Sequence, residues 1–552
     1  MPERGASLQA PLLAGLVCLL PLEPRQPTLP LFGFELTLLE AAAGLLGLVL
    51  AWSGRKRLAE LVRRPPAPLV LVTLFAAAHV LSALAAPTHA DLALKFALRM
   101  AVLAGYAWLV AAAPDGHRAA LVALAAVACV IAVVALAEAL GLRELDPLLN
   151  RFREMPFNVA GSRRASAFTE YPNLAAAFLL YGLVAGTGLL CFRPGGWRWA
   201  VPLAALLGAG LLVTYSRGAL VATALGLLAL AGLVASRAPR SAMAPALAAV
   251  GVLGACAASF AWAGEIFRLR LGSEGTSRWY LARYEPEETR LHLRPGELRT
   301  TPVRVTNAGR KAWGVRDKFH LSYHWWNLDR QLLEEGERTE LPRDLGPGES
   351  VLLHANVRAP RQPGRVLLVW DMVHEHTTWF SGQGVVPRVV PAVISDLPSA
   401  EVPDPVSPGI ASDVGWQPGR RELWRLAFAM WRERPLLGVG ADNFRWLYGP
   451  RAGRAVWDTR VFANNLYLEA AATTGALGLV AICGTLAASG FASARAFLDV
   501  PAAGPVAAAV FGLVAAIALH GLVDYLLATT GQYLTLAIVV GMAAALPRGG
   551  AR

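Results

Sequence analysis

The chain of 552 residues is too apolar for a soluble protein of its size, because 55% of its residues are hydrophobic and only 16% are charged. A soluble domain carries about a quarter charged residues. A net charge of +12 is compatible with nucleic-acid binding, but the sequence has no DNA- or RNA-binding motif. Cytoplasmic loops rich in Lys and Arg explain the charge better. Composition therefore indicates a polytopic α-helical membrane protein.

Apolar runs of about twenty residues, each long enough to cross a bilayer, recur along the chain and predict about twelve membrane spans. Lys and Arg cluster in short loops on one side, as in Arg55-Lys56-Arg57, and the positive-inside rule identifies this side as the cytoplasm. Both termini are predicted to lie there. The predicted spans are 8–22, 33–52, 68–86, 93–113, 117–140, 174–191, 199–215, 217–235, 242–262, 467–492, 504–527 and 529–546.

Two longer segments, 141–173 and 263–466, are predicted to lie on the outer side. The first is unusually basic for that side, which leaves two interpretations open. Its arginines bind an anion, or they form ion pairs with neighbouring carboxylates. The arginines are Arg143, Arg151, Arg153, Arg163 and Arg164, and the carboxylates are Glu144, Asp146, Glu154 and Glu170.

Within the second outer segment, residues from about 280 to 391 alternate between apolar and polar in short runs such as 301–306 and 351–357. Turn sequences such as Gly346-Pro347-Gly348 separate the runs, and this pattern predicts an antiparallel β-sandwich. Asn307-Ala308-Gly309 before Trp313, with further spaced tryptophans, resembles the corresponding region of Ig-like domains. The resemblance implies binding or spacing rather than catalysis.

Two groups in this region each have a binding and a structural interpretation. His374 and His376 flank Glu375, but without a third ligand we favour exposed strand residues over a metal site. Trp325-Trp326 offers aromatic faces that suit a sugar ring, whereas the sandwich core is the expected place for at least one of the two. No metal or nucleotide cofactor is predicted.

Three basic stretches are candidates for binding an anion. Thr214–Gly218 lies between two predicted spans and contains Arg217, whose forked donors match a phosphate. The stretch that begins at Arg164 leads into a span at Pro172, and helix N-termini attract anions. Arg420 opens a helix with one apolar face, which we expect to lie on the bilayer surface.

Together these stretches resemble the O-antigen ligase/polymerase superfamily, whose members move glycans from polyprenyl-diphosphate carriers on the outer face of the membrane. The order and spacing of the motifs among the spans carry the resemblance, which covers the membrane region and not the predicted sandwich. The matching pieces are Arg164 to Asn173, Thr214–Gly218, Arg420 to Trp424, Pro435–Gly440 with Phe444, Asn465-Leu466-Tyr467-Leu468-Glu469 with Gly475 and Gly478, and His520 with Asp524.

The resemblance implies that arginines hold the carrier diphosphate, since fixed guanidinium groups stabilise the charge that gathers on a leaving diphosphate. The residues concerned are Arg217, Arg420 and Arg164. The resemblance also implies an acceptor side, which we assign to Asn465, Tyr467 and Trp424.

Ligases of this family carry a histidine directly before the Asn465–Glu469 run, where this chain has Asn464. An amide does not accept a proton as a general base at neutral pH. Three explanations stay open: the base has moved, the reaction relies on stabilising the leaving group, or the chain binds the carrier without transfer. The candidate bases are His520 with Asp524, which lie four apart on one predicted helix face, and Glu170 or Glu469. The His520–Asp524 pair has an equal alternative role in helix packing.

The sequence thus predicts an outer-face glycosyltransferase of the bacterial inner membrane, with a GT-C-like helical fold and an inserted β-sandwich. It is expected to move an oligosaccharide from undecaprenyl diphosphate to a glycan, lipid or protein acceptor without a metal. A non-catalytic carrier- or glycan-binding assembly protein and a transporter of the lipid-linked glycan are the alternatives. The predicted domains are a membrane domain at residues 1–262, the sandwich with its linkers at 263–400, an amphipathic segment at 401–466 and the last spans at 467–552.

Overall fold

The computed structural model of the protein describes residues 8–31, 34–153, 156–159, 162–262, 279–328, 332–375, 378–381, 385–397, 418–454 and 457–547. The predicted linkers on either side of the sandwich fall largely outside these residues, as does His376.

The described residues form fifteen α-helices, and most of these are apolar. Eight are long and apolar enough to cross a membrane, namely α2 to α5, α7, α9, α13 and α14, while α1, α8, α10 and α15 are shorter apolar helices. The helices are α1 (Gln9–Leu19), α2 (Leu38–Arg63), α3 (Ala67–Leu84), α4 (Ala90–Ala111), α5 (His117–Ala139), α6 (Asp146–Leu149), α7 (Pro172–Leu190), α8 (Trp197–Val213), α9 (Arg217–Ala235), α10 (Met243–Trp262), α11 (Arg420–Glu433), α12 (Phe444–Arg451), α13 (Leu466–Asp499), α14 (Gly504–His520) and α15 (Thr530–Ala545).

Each of the twelve predicted spans coincides with one of these apolar helices. A multi-pass membrane protein is confirmed by the eight long helices, whereas spanning by the four shorter ones stays a prediction. The predicted end of the span 504–527 is wrong, because α14 ends at His520. The carbonyls of Gly521 and Leu522 there accept hydrogen bonds from Leu466 N–H and Asn465 Nδ2, at 2.7 and 2.8 Å.

The helix α7 lies at the centre of the membrane region. In the most apolar stretch of 18 residues in α7, 83% is buried inside the protein, whereas in the corresponding stretch of α2 only 22% is buried. It packs against α5, α8, α9 and α14, and their apolar side chains form one continuous hydrophobic cluster. A helix that is apolar on all sides fits such a position, whereas α2 lies at the edge of the bundle.

The region between α10 and α11 folds as β-structure, as the alternating runs predict. One sheet has the strand order β10-β8-β12-β14-β6, with β13 and β9 paired to β12 and β8, and a second sheet has the order β11-β7-β5. Small hairpins elsewhere are formed by β1 (Leu29–Leu31) with β2 (Phe34–Leu36) and by β3 (Phe157–Val159) with β4 (Ser162–Arg164). The remaining strands are β5 (Ala282–Pro286), β6 (Leu291–Leu293), β7 (Leu298–Asn307), β8 (Phe319–Trp326), β9 (Leu332–Glu335), β10 (Thr339–Glu340), β11 (Ser350–Arg358), β12 (Gly364–His374), β13 (Thr378–Trp379) and β14 (Arg388–Ile394).

Buried side chains from both sheets share one hydrophobic cluster, with Val303 and Trp370 as examples from the two sheets. Trp325 belongs to this core and is 1% exposed, as predicted for at least one member of the tryptophan pair. The prediction of purely antiparallel pairing is wrong for β14 and β6, which are parallel. The chain passes through both sheets between these two strands, so no hairpin forces them to be antiparallel. Likeness to an Ig-like domain stays a prediction.

The described polar groups around His374 bind one another rather than converging on a metal position. His374 Nδ1 lies 2.9 Å from the Tyr280 hydroxyl, and its ring stacks on Phe319 at 4.2 Å between centroids. Glu375 accepts a hydrogen bond from Arg338 at 2.8 Å. These contacts favour the structural interpretation of the two residues.

Asp371 is a fully buried carboxyl group in the β region. Its oxygens accept hydrogen bonds from the Tyr284 hydroxyl at 3.1 Å and from the backbone N–H of Met372 and Ser381 at 2.9 and 3.1 Å. Burial nevertheless raises the pKa of Asp371 to about 7, because the ionised form is poorly solvated. The folded β region therefore binds a proton that the unfolded chain releases at lower pH.

We expect the stability of the β region to fall as pH rises from about 3.8 to about 7, since over this window only the folded state keeps the proton on Asp371. Asp371→Asn should flatten this dependence, whereas the exposed control Asp317→Asn should keep it. Urea unfolding of the full chain at several pH values, followed by tryptophan fluorescence, measures the difference. Parallel pH profiles for the two variants would contradict the expectation.

Candidate functional site

The helix α13 is broken at Gly475. The backbone angles of this residue, φ 66° and ψ −161°, belong to a region that glycine alone adopts readily. The break takes backbone N–H and C=O groups out of the helical hydrogen-bond pattern in a buried stretch, where Thr473 and Thr474 are 2% and 0% exposed. The chain must therefore supply other partners from nearby segments.

The segment 435–440, which we call the ladder turn, provides these partners. Gly438 adopts φ +69°, and a Cβ atom there would lie 2.4 Å from the carbonyl carbon of Thr473, so the backbones touch. The bonds are Val439 N–H to Ala472 O at 2.9 Å, Gly440 N–H to Thr473 O at 3.2 Å and Ala476 N–H to Pro435 O at 2.7 Å.

Side chains next to the ladder turn extend this junction to the loop between α3 and α4. Arg434 Nη1 donates to Ala85 O at 3.0 Å, and Asn443 Nδ2 donates to Thr88 O at 2.8 Å. The Ser82 hydroxyl of α3 also donates to the carbonyl of Thr473 at the break. The break in α13 is thus held by both the ladder turn and α3.

The start of α13 is fixed to the turn after α14. Asn465 caps the helix, since its Oδ1 accepts hydrogen bonds from Tyr467 N–H and Leu468 N–H, both at 3.0 Å. The Tyr467 hydroxyl donates to Ala518 O at 2.7 Å. Two of the three predicted acceptor residues therefore make structural hydrogen bonds, and their contact with an acceptor stays a prediction.

Asn464 differs from its neighbours in making no such bond. It has φ +51° and is half-buried, and among the residues described here its side-chain amide has no hydrogen-bond partner. Asn and His are both among the residue types enriched at positive φ. The backbone at this position therefore suits the asparagine that is present and also the histidine of the ligases.

Arg164 joins two of the predicted motifs. Its Nε donates to Thr214 O at 3.0 Å, and its Nη2 donates to Asn173 Oδ1 at 3.2 Å, next to the start of α7. The neighbouring Ala165 N–H donates to Val213 O at 3.0 Å. The stretch that leads into α7 and the Thr214–Gly218 motif therefore lie side by side.

The Thr214–Gly218 motif packs against the end of α14. A Cβ atom added to Gly218 would lie 2.5 Å from Val523 Cγ2 and 3.9 Å from His520 Cδ2. Arg217, the residue before it, is half-buried at the first position of α9. Arg420, at the first position of α11, acts electrostatically on His520. Predicted residues from α9, α11 and α14 are thus brought to one region.

His520 lies within this region but does not form the predicted pair on one helix. The helix α14 ends at His520, so Asp524 lies in the following turn, with its N–H bound to His520 O at 3.0 Å. His520 Nε2 is 3.7 Å from Asp524 Oδ2, which is beyond hydrogen-bond distance. Among the described residues, neither ring nitrogen of His520 has a hydrogen-bond partner, although the side chain is 1% exposed.

The other predicted residues lie at different places around the site. Glu170 lines a separate cavity of about 270 Å³ together with Arg25 and Arg99. Glu469 is buried in the first turn of α13, where its Oε2 accepts a hydrogen bond from Ala463 N–H at 2.7 Å. Trp424 is half-buried on α11.

Two of the five arginines of the outer segment 141–173, Arg153 and Arg163, form ion pairs. Arg153 is fully buried and binds Glu138, with a second contact to Asp146 at 3.2 Å. Arg163 contacts the same carboxylate of Asp146 at 2.7 Å. The ion-pair interpretation therefore holds for these two arginines, whereas Arg164 points to the Thr214–Gly218 motif.

Sequence reasoning missed a second charged group, which contains Asp442 and Arg445 beside the ladder turn. Arg445 Nη2 donates to Asp442 Oδ2 at 2.6 Å, and both residues line a cavity together with Lys95 and Arg99 of α4. Lys95 and Arg99 lie within one apolar predicted span, where charged side chains are costly and tend to be functional. This pattern in the sequence could have indicated the second charged group.

Comparison with known proteins identifies a similar family for the stretch that contains α11 and the ladder turn. Residues 373–483 match a family model described as O-Antigen ligase. The match contains α11, the ladder turn and the first half of α13, whereas Thr214–Gly218 and His520 lie outside it. A search of curated proteins found no match. In the residues that the structure describes, no group of three or more His, Cys, Asp or Glu side chains is placed to hold a metal ion.

We expect Gly475→Ala to destabilise the protein strongly. The unfavourable backbone angles alone cost about 1–3 kcal/mol, and the added Cβ would lie 2.3 Å from the carbonyl of Leu436, which forces the ladder turn away. Gly490→Ala is the matched control in the same helix, because its Cβ would make an ordinary contact of 3.6 Å with Val514. Thermal unfolding in detergent measures both variants, and equal melting temperatures would contradict the role of the break.

Proposed function

We propose that this chain, which belongs to the O-antigen ligase superfamily, transfers a glycan from a polyprenyl-diphosphate carrier to an acceptor hydroxyl group. The observation that carries the proposal is that two elements with a predicted arginine meet the buried His520 at the end of α14. Gly218, the neighbour of Arg217 in α9, packs against His520 and Val523, and Arg420 of α11 acts electrostatically on His520. A diphosphate needs fixed cations as it leaves, and an acceptor hydroxyl needs a group that takes its proton. This region offers both.

The N-terminus of α9 adds to the anion-binding character of this region. Ser216 precedes the helix in an extended conformation and makes no side-chain capping bond, in contrast to Thr37 at the start of α2, which caps its helix. The side chain of Ser216 therefore does not cap the first turn of α9, which begins at Arg217. Uncapped N–H groups and a guanidinium group at one helix start favour a phosphate ligand.

The proposed reaction breaks the bond between the anomeric carbon and the diphosphate oxygen, and the diphosphate leaves with the electron pair. The acceptor oxygen bonds to the anomeric carbon and gives up its proton. Arg217 and Arg420 stabilise the leaving diphosphate, and Arg164 supports the Thr214–Gly218 motif through its bond to Thr214 O. We assign proton removal to His520, since Glu170 lines a separate cavity and Asn464 carries an amide.

The proposal includes a bacterial inner-membrane location with the site and the β region on the periplasmic side, as the Lys and Arg distribution predicts. The domain division predicted from the sequence, with membrane segments on either side of an inserted β region and amphipathic segment, belongs to the same proposal.

The donor would be an undecaprenyl-diphosphate oligosaccharide and the acceptor a glycan, lipid or protein. A carrier-binding protein without transfer is the second candidate, and Asn464 is the observation that favours it.

Arg217→Ala and Arg420→Ala should each lower the release of free carrier diphosphate by about 10²–10³-fold, because each removes a cation from the leaving group. Purified protein and a polyprenyl-diphosphate oligosaccharide, without added metal, suffice for the measurement. Arg425→Ala is the matched control, since Arg425 is exposed on the same helix as Arg420. Carrier binding without release by the unaltered protein would support the second candidate, and normal release by both arginine variants would overturn the proposal.

Moving the histidine from position 520 to position 464 tests which residue accepts the proton. His520→Ala should lower carrier release by about 10²–10⁴-fold. Asn464→His in that background should restore some of the rate, because the positive φ of residue 464 accepts histidine. The restored activity should fall below a pH of about 6.5, where the new imidazole is protonated. Full activity of His520→Ala would show that the base lies elsewhere or is not needed.

A further inference from the structure

A cavity of about 350 Å³, whose lining does not include His520, Arg217 or Arg420, is not used by the proposed chemistry. Its walls come from α2, α4, α15 and the residues that follow the ladder turn. The lining includes apolar side chains such as Val102 and the charged side chains of Glu40, Lys95, Arg99, Asp442 and Arg445. A concave site with few polar groups in a mostly apolar wall is typical of a small-molecule or glycan site.

Asp442 is the most enclosed charged group in this wall. Its Oδ2 accepts two hydrogen bonds from Arg445, at 2.9 Å from Nε and 2.6 Å from Nη2. Its Oδ1 is buried and has no hydrogen-bond partner among the described residues, although the residue is only 4% exposed. A buried carboxylate oxygen without a donor is costly, so a ligand that brings a donor is favoured there.

The arginine that holds Asp442 is itself fixed. The Arg445 guanidinium carbon lies 4.8 Å from the centre of the Trp446 ring, and Nη1 donates to Thr459 O at 3.4 Å. Across the cavity, Arg99 pairs with Glu40 at 3.4 Å. Charges of both signs therefore face the cavity, and its two arginines are already bound to carboxylates.

This pairing decides which chemical class of ligand fits. A metal cation is disfavoured by Lys95, Arg99 and Arg445, and an anion would have to compete with Glu40 and Asp442 for the two arginines. A neutral, hydroxyl-rich ligand satisfies every group, because a hydroxyl donates to a carboxylate and accepts from a guanidinium group. The apolar part of the wall, which includes Leu92, Leu98 and Val102, suits the apolar face of a sugar.

We propose that this cavity binds a saccharide, one hydroxyl group of which donates a hydrogen bond to Oδ1 of Asp442. The inference rests on the proposed function, in which this saccharide belongs to the glycan that the carrier delivers. Asp442 and Arg445 both act electrostatically on Glu469, in the first turn of α13. The same turn begins at the Asn465 cap, which is bound to the turn after α14, so the first turn of α13 connects the saccharide cavity with the proposed transfer site.

Asp442→Asn tests the hydroxyl contact. Asparagine keeps the positive φ of 63° at this position and offers its oxygen to Arg445, which leaves an NH₂ donor in place of Oδ1. The probe is the oligosaccharide released from its carrier by mild acid, and binding to the full-length protein is measured by calorimetry. We expect at least 10-fold weaker binding, whereas Asp458→Asn, at a half-exposed carboxylate paired with Arg460, should bind within twofold of the unaltered protein.

Gly44→Phe tests the cavity without touching Asp442. A Cβ at Gly44 meets no atom within 4 Å, and the residue lines the cavity, so the ring should occupy the saccharide volume and abolish binding. Leu45→Phe is the matched control, because Leu45 is 69% exposed beside it. Thermal unfolding verifies that each variant is folded.

Unchanged binding in both Asp442→Asn and Gly44→Phe would overturn this inference, as would the absence of binding by the unaltered protein at millimolar probe. Neither result would alter the loss of carrier release expected for Arg217→Ala and Arg420→Ala. Conversely, normal release in the arginine variants together with lost oligosaccharide binding in Asp442→Asn would reject the proposed transfer and keep the saccharide site.

Discussion

The backbone hydrogen bonds between the ladder turn and the break in α13 are the constraint on which the site depends. A buried peptide group without a hydrogen-bond partner costs several kcal/mol. A helix of 34 residues broken at Gly475 is therefore stable only if another segment packs against the break and presents its own backbone. The segment 435–440 does so at both sides of the break, which fixes the chain that follows α11 against the broken part of α13.

Once the break is fixed, the other elements of the site follow from short connections. The first turns of α13 are held between the ladder turn and the turn after α14, through Asn465 and Leu466. The turn after α14 carries Val523 against Gly218, so the start of α9 is placed by the same contacts. Elements far apart in sequence thus meet through backbone contacts that need small residues, while the arginines and His520 extend from them.

Much of this arrangement could be predicted from the sequence, because apolar runs and turn residues act on the chain segment in which they occur. The apolar runs predict the helices, the alternation around 301–306 and 351–357 predicts β7 and β11, and Pro172 predicts the start of α7. The hydrogen bond from Arg164 to Thr214 O brings two of the predicted motifs side by side, whereas their common role in binding stays a prediction.

The remaining features depend on contacts between distant residues. Gly475 lies in an apolar run, where glycine is common in membrane helices, so the run alone does not indicate a break. Glu138, the partner of Arg153, lies inside a predicted span and was not among the expected carboxylates. The early end of α14 and the parallel pairing of β14 with β6 likewise depend on which segment supplies the hydrogen-bond partner.

The ladder turn also has a consequence for how such a chain diversifies. Its bonds involve main-chain atoms, and the positions that tolerate least change are glycines such as Gly438 and Gly475, which carry no reactive group. Asn464 projects its side chain outside these bonds, at a backbone conformation open to more than one polar residue. The scaffold and the acid–base chemistry are therefore separable, and the residue directly before the Asn465 cap of α13 can be exchanged while the architecture that positions it persists.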